Sequence, residues 1–332
     1  MTVLRSTAAP ARPLLTRVPL STDPLPPLAD PIDPWPGREV RLRGKTLYLR
    51  ETPGPDDGVP AVYVHGLGGS ATNWTELAGQ LAGRSPGVAV DLPGFGRSRP
   101  HSRARQELTD LADIVVGVIT EVAGGGPVHL VGNSMGGAIS LLVAAGRPDL
   151  VRTLTLISPA VPDLRPSVRR LSDPRLPLAY LPVIGRRARR AIAATSSAER
   201  ADQMLRLCFA EPDKVSQSRI DLAIEEFEER VGQPWAGPAL GMATTSLFRA
   251  WMTFGRGSLW AVARRVLAPA LVVWGAQDRL VSVRKAPRTA SALPNARLLV
   301  LPNTGHVAMM ERPATVARAT LSMWEAAATG EW

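Results

Sequence analysis

Short apolar runs alternate with amphipathic segments along most of the chain. The runs are typical of strands buried on both faces, whereas Glu107 to Val122 places its apolar residues on one face of a helix. A hairpin is predicted from Val40 to Leu49, with its turn at Gly44 and Lys45. Strands that alternate with helices predict an α/β fold, in which a mostly parallel sheet carries helices on both faces. The predicted core strands are Ala61–Val64, Val88–Asp91, Val128–Val131, Leu154–Ile157, Val272–Trp274 and Leu298–Leu301.

The alternation stops between residues 161 and 268. No strand-like run recurs there, and proline and glycine divide the segment into helices. A segment of this length between two core strands is too long for a loop in a compact domain. We therefore expect a helical cap at 161–268, inserted into a core made of residues 39–160 and 269–328. Residues 1–38 are rich in proline, which predicts an N-terminal arm that is extended over the surface or mobile.

Two stretches of the predicted cap have a distinct pattern. Residues 213–230 carry a charged face with Glu225, Glu226, Glu228 and Glu229. Residues 240–254 carry the apolar side chains of Met242, Leu247, Phe248, Trp251, Met252 and Phe254. This apolar set packs the cap onto the core or, in part and together with Trp235 and Trp260, lines an apolar acyl or aromatic pocket. The sequence leaves both interpretations open.

A serine stands where a buried strand turns directly into a helix. Ser134 lies between Gly132 and Gly136, and Gly137 follows. A serine hydroxyl is a weak nucleophile and must project from a tight turn towards a base. The residues two before and two after the serine are crowded in such a turn, which favours glycine at both positions. The pattern predicts that Ser134 is a catalytic nucleophile.

A base and an orienting acid follow downstream. Asp278 comes after one predicted strand, and His306 comes after the next. Open parallel sheets place their ligand sites at the carboxyl ends of the strands, so we expect both side chains near Ser134. The order serine, aspartate, histidine is that of a known catalytic triad arrangement. The other histidines have plainer positions: His65 begins a turn, His101 lies in a polar loop and His129 lies inside a strand.

A glycine-rich turn after the first core strand completes the predicted site. It runs from His65 to Ser70, and its backbone N–H groups can point at a developing oxyanion. We expect the donors to be the amides of Leu67 and of Met135, the residue after the serine. Phosphate binding is the rival explanation for these glycines, but the spacing of a P-loop or of a dinucleotide fingerprint is missing.

Composition adds limits on partners and location. The chain has 332 residues and a net charge of +10, but lysine occurs only at Lys45, Lys214 and Lys285. This arginine excess is typical of a GC-rich genome, and no nucleic-acid module accompanies it, so we expect no nucleic-acid partner. We interpret Arg186–Arg190, with Arg169 and Arg170, as a solvated cap surface; steering of acidic substrates or contact with a membrane is the alternative.

The cysteine content and the hydropathy of the chain bear on where in the cell the protein is located. The single Cys208 excludes an intramolecular disulfide, gives no metal cluster and is expected to be a small buried residue in a reducing compartment. Neither a signal peptide nor an apolar stretch of the roughly 20 residues that a membrane helix needs is present. We therefore predict a cytoplasmic protein without stable membrane insertion, metal or cofactor.

These motifs together resemble the serine hydrolases of the α/β-hydrolase fold that carry a helical cap. The resemblance covers Val40 to Glu325 apart from the middle third, and it implies the fold and the triad rather than the substrate. The matching motifs are His65–Gly69 with Trp74, Asp91–Ser98, Gly132–Gly137, Gly275–Asp278 with Val281, and Gly305–His306 with Glu311 and Pro313.

Asn133 before the nucleophile refines the resemblance. The run Gly-Asn-Ser-Met-Gly-Gly is similar to that of carbon–carbon bond hydrolases that act on meta-cleavage products of aromatic degradation. Those enzymes usually carry tryptophan after the catalytic histidine, where this chain has Val307. We therefore rank carbon–carbon bond hydrolysis second.

Three hypotheses about function follow. The first is a hydrolase of a carboxylic ester or lactone of an apolar small molecule, which acts through an acyl-enzyme. Its substrate pocket is predicted to include Trp74, Trp235, Trp251 and Val307. The second is the carbon–carbon bond hydrolase. The third is a non-catalytic ligand receptor on the same scaffold, which the presence of all three triad residues argues against.

Overall fold

Eight strands form one sheet in the computed structural model, which describes residues 17–28, 33–100, 107–163, 186–187, 190–191 and 194–332. The strands are β1 (Gly37–Leu42), β2 (Lys45–Thr52), β3 (Ala61–Val64), β4 (Gly87–Val90), β5 (Val128–Asn133), β6 (Val151–Ile157), β7 (Ala270–Gly275) and β8 (Ala296–Leu301). Their order in the sheet is β1-β2-β4-β3-β5-β6-β7-β8. Strands β3 to β8 run parallel to one another, and β1 and β2 add an antiparallel edge. The predicted fold class is confirmed.

Helices connect the parallel strands and occupy the segment between β6 and β7. Those of the core are α1 (Thr75–Leu81), α2 (Leu108–Glu121), α3 (Met135–Gly146), α8 (Ala286–Ala292), α9 (Ala308–Glu311) and α10 (Pro313–Thr329). Those between β6 and β7 are α4 (Ser197–Cys208), α5 (Gln217–Val231), α6 (Ala236–Trp251) and α7 (Leu259–Ala263). None of the described helices is long and apolar enough to cross a bilayer.

Two hydrophobic clusters hold the helices against the sheet. The first joins β3, β5 and β7 to α2 and α3, and the buried side chains of α2 recur at the helical spacing that the sequence shows. The second joins the opposite faces of the same strands to α1 and α10. Strands β3, β5 and β7 are therefore buried on both faces, which explains their continuous apolar runs. Strand β8 differs from the predicted core strand: it lies at the edge of the sheet and is only partly buried.

The hairpin turn lies one residue earlier than the sequence suggested. It is formed by Arg43 and Gly44, whose φ angles are 50° and 78°, and Leu42 pairs with Lys45. A two-residue turn with positive φ at both positions matches the twist of the flanking strands, and glycine takes this conformation readily. The glycine therefore occupies the second turn position rather than the first.

The described residues between β6 and β7 form helices and connecting turns. This agrees with the expected helical segment, although its limits at 161 and 268 remain a prediction. Arg186, Arg187 and Arg190 are exposed. Arg169, Arg170 and residue 189 of the arginine cluster lie outside the described residues, as does His101.

Part of the N-terminal arm lies along the core. Ser21 exchanges hydrogen bonds with Arg318 of α10: the Ser21 N–H donates to the Arg318 carbonyl at 3.0 Å, and Arg318 Nη1 donates to the Ser21 carbonyl at 2.8 Å. The Trp35 indole donates to the Thr75 carbonyl at 3.0 Å. Residues 17–28 and 33–36 form no helix or strand, and these hydrogen bonds hold them against α10 and α1. Residues 1–16 and 29–32 lie outside the described residues.

His129 of β5 is a buried aromatic packing residue. Its ring stacks on Trp324 of α10 at 3.9 Å between centroids, and Nδ1 lies 2.8 Å from Thr153 Oγ1. Burial, and to a smaller extent the charge of Arg152, lowers the pKa of His129 to about 3. The side chain is therefore neutral in the folded protein over the whole range in which an unfolded histidine titrates.

This pKa predicts a pH dependence of stability. The unfolded state binds a proton on His129 near pH 6.5, and the folded state does not until about pH 3. The contribution of neutral His129 to the free energy of unfolding is thus fully present above pH 6.5 and is lost as the pH falls towards 3. We expect His129→Phe, which keeps an aromatic ring against Trp324, to reduce the slope of unfolding free energy against pH by up to about 1.4 kcal/mol per pH unit. Urea titrations between pH 4 and 6.5 measure it, and equal slopes for variant and wild type would contradict the prediction.

Candidate active site

Ser134 sits in a strained turn between β5 and α3. Its φ of 53° and ψ of −120° are unusual for a residue with a side chain. Three backbone hydrogen bonds hold it there. The Ser134 N–H donates to the Ile157 carbonyl at 3.1 Å, and the Ser134 carbonyl accepts from Ala138 and Ala160 at 3.2 and 2.8 Å. Such strain persists where the surroundings over-determine the conformation, and it marks functional turns.

The flanking glycines are required by close backbone contacts. A Cβ on Gly136 would lie 2.0 Å from the Val64 carbonyl oxygen of β3. A Cβ on Gly132 would lie 2.4 Å from Ser140 Oγ. No other residue type fits either position without movement of the sheet or of α3, which is the crowding that the motif predicted.

His306 and Asp278 form a buried pair at the carboxyl ends of β8 and β7. His306 Nδ1 lies 2.8 Å from Asp278 Oδ2, and the two side chains are 4% and 0% exposed. Asp278 Oδ1 accepts from the N–H groups of Leu280 and Val281 at 2.8 and 2.9 Å. Because the carboxylate accepts, we assign the ring proton to Nδ1, which leaves the Nε2 lone pair available as a base.

Asn133 ties the serine turn to the histidine loop. Its side-chain Nδ2 donates to the His306 carbonyl at 3.1 Å and to the Ile157 carbonyl at 3.0 Å. The backbone N–H of His306 donates to the Cys208 carbonyl at the end of α4, at 2.7 Å. The histidine loop is therefore held from the core on one side and from the segment that follows α4 on the other.

Glu311 is a second link between these two segments. One carboxylate oxygen accepts from the Gly305 N–H at 2.6 Å, and the other accepts from the Ala210 N–H at 2.8 Å. Burial raises the pKa of Glu311, and these two N–H groups oppose the rise because they stabilise the charged form. Glu311 thus braces the loop that carries His306 against the chain beyond α4.

The glycine-rich turn after β3 lies directly beside Ser134. A Cβ on Gly66 would be 2.9 Å from the Ser134 Cβ. Leu67 follows in this turn and is half-buried. Met135 is the first residue of α3, so its N–H has no carbonyl partner within the helix. Met135 is therefore next to the serine, and Leu67 follows the residue that lies against it; their role as oxyanion donors stays a prediction.

The side chain of His65 links this turn to the backbone of Leu92. Its Nε2 accepts from the Leu92 N–H at 3.0 Å, so Nδ1 carries the proton and donates to the Gly66 carbonyl at 2.7 Å. Burial is the main cause that lowers the pKa of His65 to about 4. This histidine is a neutral structural residue, in agreement with its predicted position in a turn.

Asp91 holds the far end of the same turn. Its carboxylate accepts from the Ala71 N–H at 2.6 Å and from the Arg97 N–H at 2.8 Å. Burial raises the pKa of Asp91 to about 6, against the effect of these two hydrogen bonds. The motif from Asp91 to Ser98 therefore serves to fasten one turn to another.

A glutamate from α5 reaches the same turn from the opposite side. Glu226 accepts hydrogen bonds from the Ser70 hydroxyl at 3.1 Å and from the Thr72 hydroxyl. Two turns earlier on α5, Arg219 pairs with Glu76 of α1, and the two side chains are only 10% and 12% exposed. The sequence did not predict this contact. Glu226 is one of four glutamates in residues 213–230, and nothing in its sequence neighbours distinguishes it from the other three.

The four predicted pocket residues occupy different surroundings. Trp74 has no exposed surface and packs against Tyr63 in the core, with 5.4 Å between ring centroids, so we remove it from the predicted pocket. Val307 follows His306 and is buried in the same cluster as Trp74. Trp251 is half-buried, and its indole donates to the Ala160 carbonyl at 2.8 Å. Trp235 is half-buried at the start of α6, with the Arg99 guanidinium 5.3 Å above its ring.

Cys208 is free and buried, as expected from the sequence. Burial raises the pKa of its thiol to about 12, with smaller contributions from the charges of Asp278 and Glu311. The thiol is therefore protonated at neutral pH. Over the described part of the chain, no group of three histidine, cysteine or carboxylate side chains is placed to hold a metal ion.

Comparisons with known proteins agree with this fold. The family model of the α/β-hydrolase fold matches residues 60–313. A dihydrolipoyllysine-residue acetyltransferase component of the acetoin cleaving system of Pseudomonas putida is 31% identical over 278 residues. The match covers 82% of this chain but only 65% of that relative.

Two further proteins represent different activities. A monoacylglycerol lipase of Xenopus laevis is 29% identical over 277 residues, which cover 78% of this chain and 73% of the lipase. The structure of a meta-cleavage product hydrolase from Pseudomonas fluorescens IP01 superposes with a TM-score of 0.69 at 17% identity. It covers 88% of this chain and 98% of that hydrolase, and at this identity the likeness concerns the fold alone.

The contact of Glu226 predicts that substitution of Glu226 lowers the stability of the protein, whereas substitution of Glu225 does not. We expect Glu226→Ala to lower the free energy of unfolding by about 1 to 3 kcal/mol, because two hydroxyls lose their charged acceptor. Glu226→Gln keeps an acceptor oxygen and should lose less. The exposed Glu225→Ala is the matched control and should change little. Urea unfolding curves measure all three, and equal curves for the two alanine variants would exclude the contact.

Proposed function

The chain belongs to the α/β-hydrolase fold family, and from that premise we propose that it is a serine hydrolase of a carboxylic ester or lactone of an apolar small molecule. The observation that carries the proposal is the buried His306–Asp278 pair, whose loop Asn133 ties to the strained turn at Ser134. A serine on a strand-to-helix turn, a histidine and an oriented carboxylate are the parts that acyl transfer needs.

In the proposed first step, Ser134 attacks the substrate carbonyl. His306 Nε2 takes the proton from the serine hydroxyl, and the Oγ–carbon bond forms. Asp278 holds the imidazole in the tautomer that makes Nε2 the base, and its charge stabilises the imidazolium that results. The two N–H groups that bind Asp278 Oδ1 keep its carboxylate in this position.

The negative charge then resides on the former carbonyl oxygen. The backbone N–H groups of Leu67 and Met135 are the proposed donors to it, and each is expected to contribute about 3 kcal/mol to transition-state stabilisation. The braces on the glycine-rich turn support this role. His65, Asp91 and Glu226 hold the turn from three directions, so its N–H groups need no rearrangement when charge develops.

Collapse of the tetrahedral intermediate breaks the bond to the leaving group. His306 returns its proton to the departing alkoxide, and Ser134 keeps the acyl group as an ester. Water then attacks this ester with His306 again as the base, which releases the acid and restores the serine. No cofactor enters these steps.

The ester or lactone assignment is supported by the apolar surroundings of the site. Val307 follows the proposed base, and Trp251 packs against the core beside Ala160. The monoacylglycerol lipase among the relatives also acts on an ester. We propose that residues 161–268 act as the cap over this site. The predicted cytoplasmic location is kept as part of the proposal, since a lone buried thiol suits a reducing compartment.

Carbon–carbon bond hydrolysis is the second candidate. It is favoured by Asn133, whose side chain spans the serine turn and the histidine loop in this structure. The same serine, base and oxyanion donors would serve both reactions, so the fold and the triad do not separate them. Val307, in the position after the histidine, argues for the ester.

The nucleophile is tested by intact mass after exposure to a fluorophosphonate. We expect one adduct on the wild-type protein and none on Ser134→Ala, because only a serine activated by a base reacts with the probe. Ser140→Ala makes the same substitution in α3 and should be labelled like the wild type. Absence of an adduct on the wild type, or an adduct on Ser134→Ala, would overturn the triad and favour a non-catalytic receptor.

The substrate class is tested by two assays on the same protein. We expect p-nitrophenyl esters and apolar lactones to be hydrolysed by the wild type and not by Ser134→Ala. A vinylogous diketone of the meta-cleavage type should keep its visible absorbance. If the diketone loses its absorbance and the esters are not hydrolysed, the protein is a carbon–carbon bond hydrolase instead. The fluorophosphonate adduct would then still show that Ser134 is activated.

A further inference from the structure

One face of α6 and the turn after it expose large apolar side chains. Leu240 is 42% exposed, Phe248 51%, Met252 52% and Phe254 79%. The first three lie at multiples of four residues, so they follow one side of the helix. We refer to these four residues as the α6 stripe.

The α6 stripe is not the face that packs the helix onto the core. That task falls to Ala239, Ala243 and Leu247, which are buried. Helix α6 is thus apolar on its inner face and again along part of its outer face. A surface helix ordinarily carries polar residues on the outer side, so the stripe requires its own explanation.

The segment that carries the α6 stripe has charges of one sign in the sequence. Residues 231–277 contain four arginines and no aspartate or glutamate. Arg249 pairs with Glu107, whereas Arg256, Arg264 and Arg265 are exposed and pair with no carboxylate of the described residues. Arg265 Nη1 donates to the Arg256 carbonyl at 2.9 Å, which brings two of these cations together near Phe254. The exposed side of α5, by contrast, carries Glu225, Glu228 and Glu229.

The α6 stripe begins at the candidate active site. Leu240 Cδ1 lies 3.7 Å from the position that a Cβ on Gly68 would take, and Gly68 follows the proposed oxyanion donor Leu67. Ala239 lies against Gly94 in the turn that Asp91 organises. A molecule that contacts the stripe is therefore next to the turn that flanks Ser134.

We propose that the α6 stripe and Arg256 with Arg265 form a docking surface for an anionic phospholipid bilayer. Aromatic, leucine and methionine side chains enter the boundary between headgroups and acyl chains, and arginines beside them bind the phosphates. Exposed apolar groups on a segment that carries arginines and no acidic residue fit an anionic lipid surface better than a protein partner of mixed charge. Docking to a bilayer goes beyond the proposed function and does not depend on it. Delivery of a lipid ester from the bilayer to Ser134 rests on the proposed function.

Co-sedimentation with vesicles tests the docking surface. The full chain carrying Ser134→Ala is mixed with vesicles of phosphatidylglycerol and phosphatidylcholine or of phosphatidylcholine alone. We expect binding to the anionic vesicles that salt weakens, and little binding to the neutral ones. Arg256→Gln with Arg265→Gln should reduce partitioning at least about tenfold, since each cation near such a surface contributes about fivefold. Phe248→Ser with Phe254→Ser should also reduce it.

Matched variants outside residues 231–277 serve as controls. Arg147→Gln with Arg152→Gln makes the same change in net charge around the start of β6, and Leu20→Ser removes an exposed apolar side chain of the N-terminal arm. Both should partition like the parent. No binding of the parent to anionic vesicles, or equal loss in controls and stripe variants, would overturn the proposal. Dimers that dissociate on Phe248→Ser with Phe254→Ser, without vesicle binding, would assign the stripe to a second copy of the chain.

Different results would contradict the docking proposal and the proposed function. In the chain that keeps Ser134, Arg256→Gln with Arg265→Gln should leave the rate on a water-soluble ester unchanged and lower the rate on an ester embedded in anionic vesicles. Vesicle binding without hydrolysis of either ester would contradict the proposed function and leave docking intact. Equal rates on the embedded ester for the wild type and this variant would contradict delivery from the bilayer.

Discussion

The close approach of α3 to β3 is the constraint on which the site depends. With no side chain at Gly136, the start of α3 lies against the carbonyl of Val64, and the chain must reverse at Ser134 within a single residue. That reversal requires a positive φ, which three backbone hydrogen bonds hold in place. The same approach brings the glycine-rich turn after β3 against the serine. One packing contact therefore determines both the position of the proposed nucleophile and that of its oxyanion donors.

The proposed base is positioned by groups outside the triad. Asn133, Glu311 and the Cys208 carbonyl each bind a backbone atom in or next to His306, so the loop is held at three points. Asp278 then orients the ring within a loop that is already fixed. Since hydrogen bonds in a buried site cost little reorganisation during a reaction, this bracing is what a preorganised base requires.

The segment between β6 and β7 joins the site through contacts of two kinds. Glu226 and Arg219 make buried polar contacts with the turn after β3 and with α1, whereas Ala239 and Leu247 pack apolar surface. Polar contacts of this kind specify one docking geometry, because a shifted helix would leave charged groups buried without partners. Apolar contacts are less directional. The polar contacts of α5 thus fix how this segment sits on the turn after β3, and α6 adds apolar packing.

The sequence by itself determined the parallel sheet, the strained serine turn and the placement of Asp278 and His306 after neighbouring strands. Each of these follows from local spacing, since a strand end is visible in the residues that surround it. The contacts of Glu226 and Glu311, and the burial of Trp74, were decided by the tertiary structure. Glu226 has the same local pattern as the exposed Glu225, and only the packing of α5 against the turn after β3 distinguishes them. Trp74 stands beside a site motif, yet its ring is enclosed by α1 and β3. Partners that are distant in the chain leave no periodic signal, so burial and pairing at such positions appear only in three dimensions.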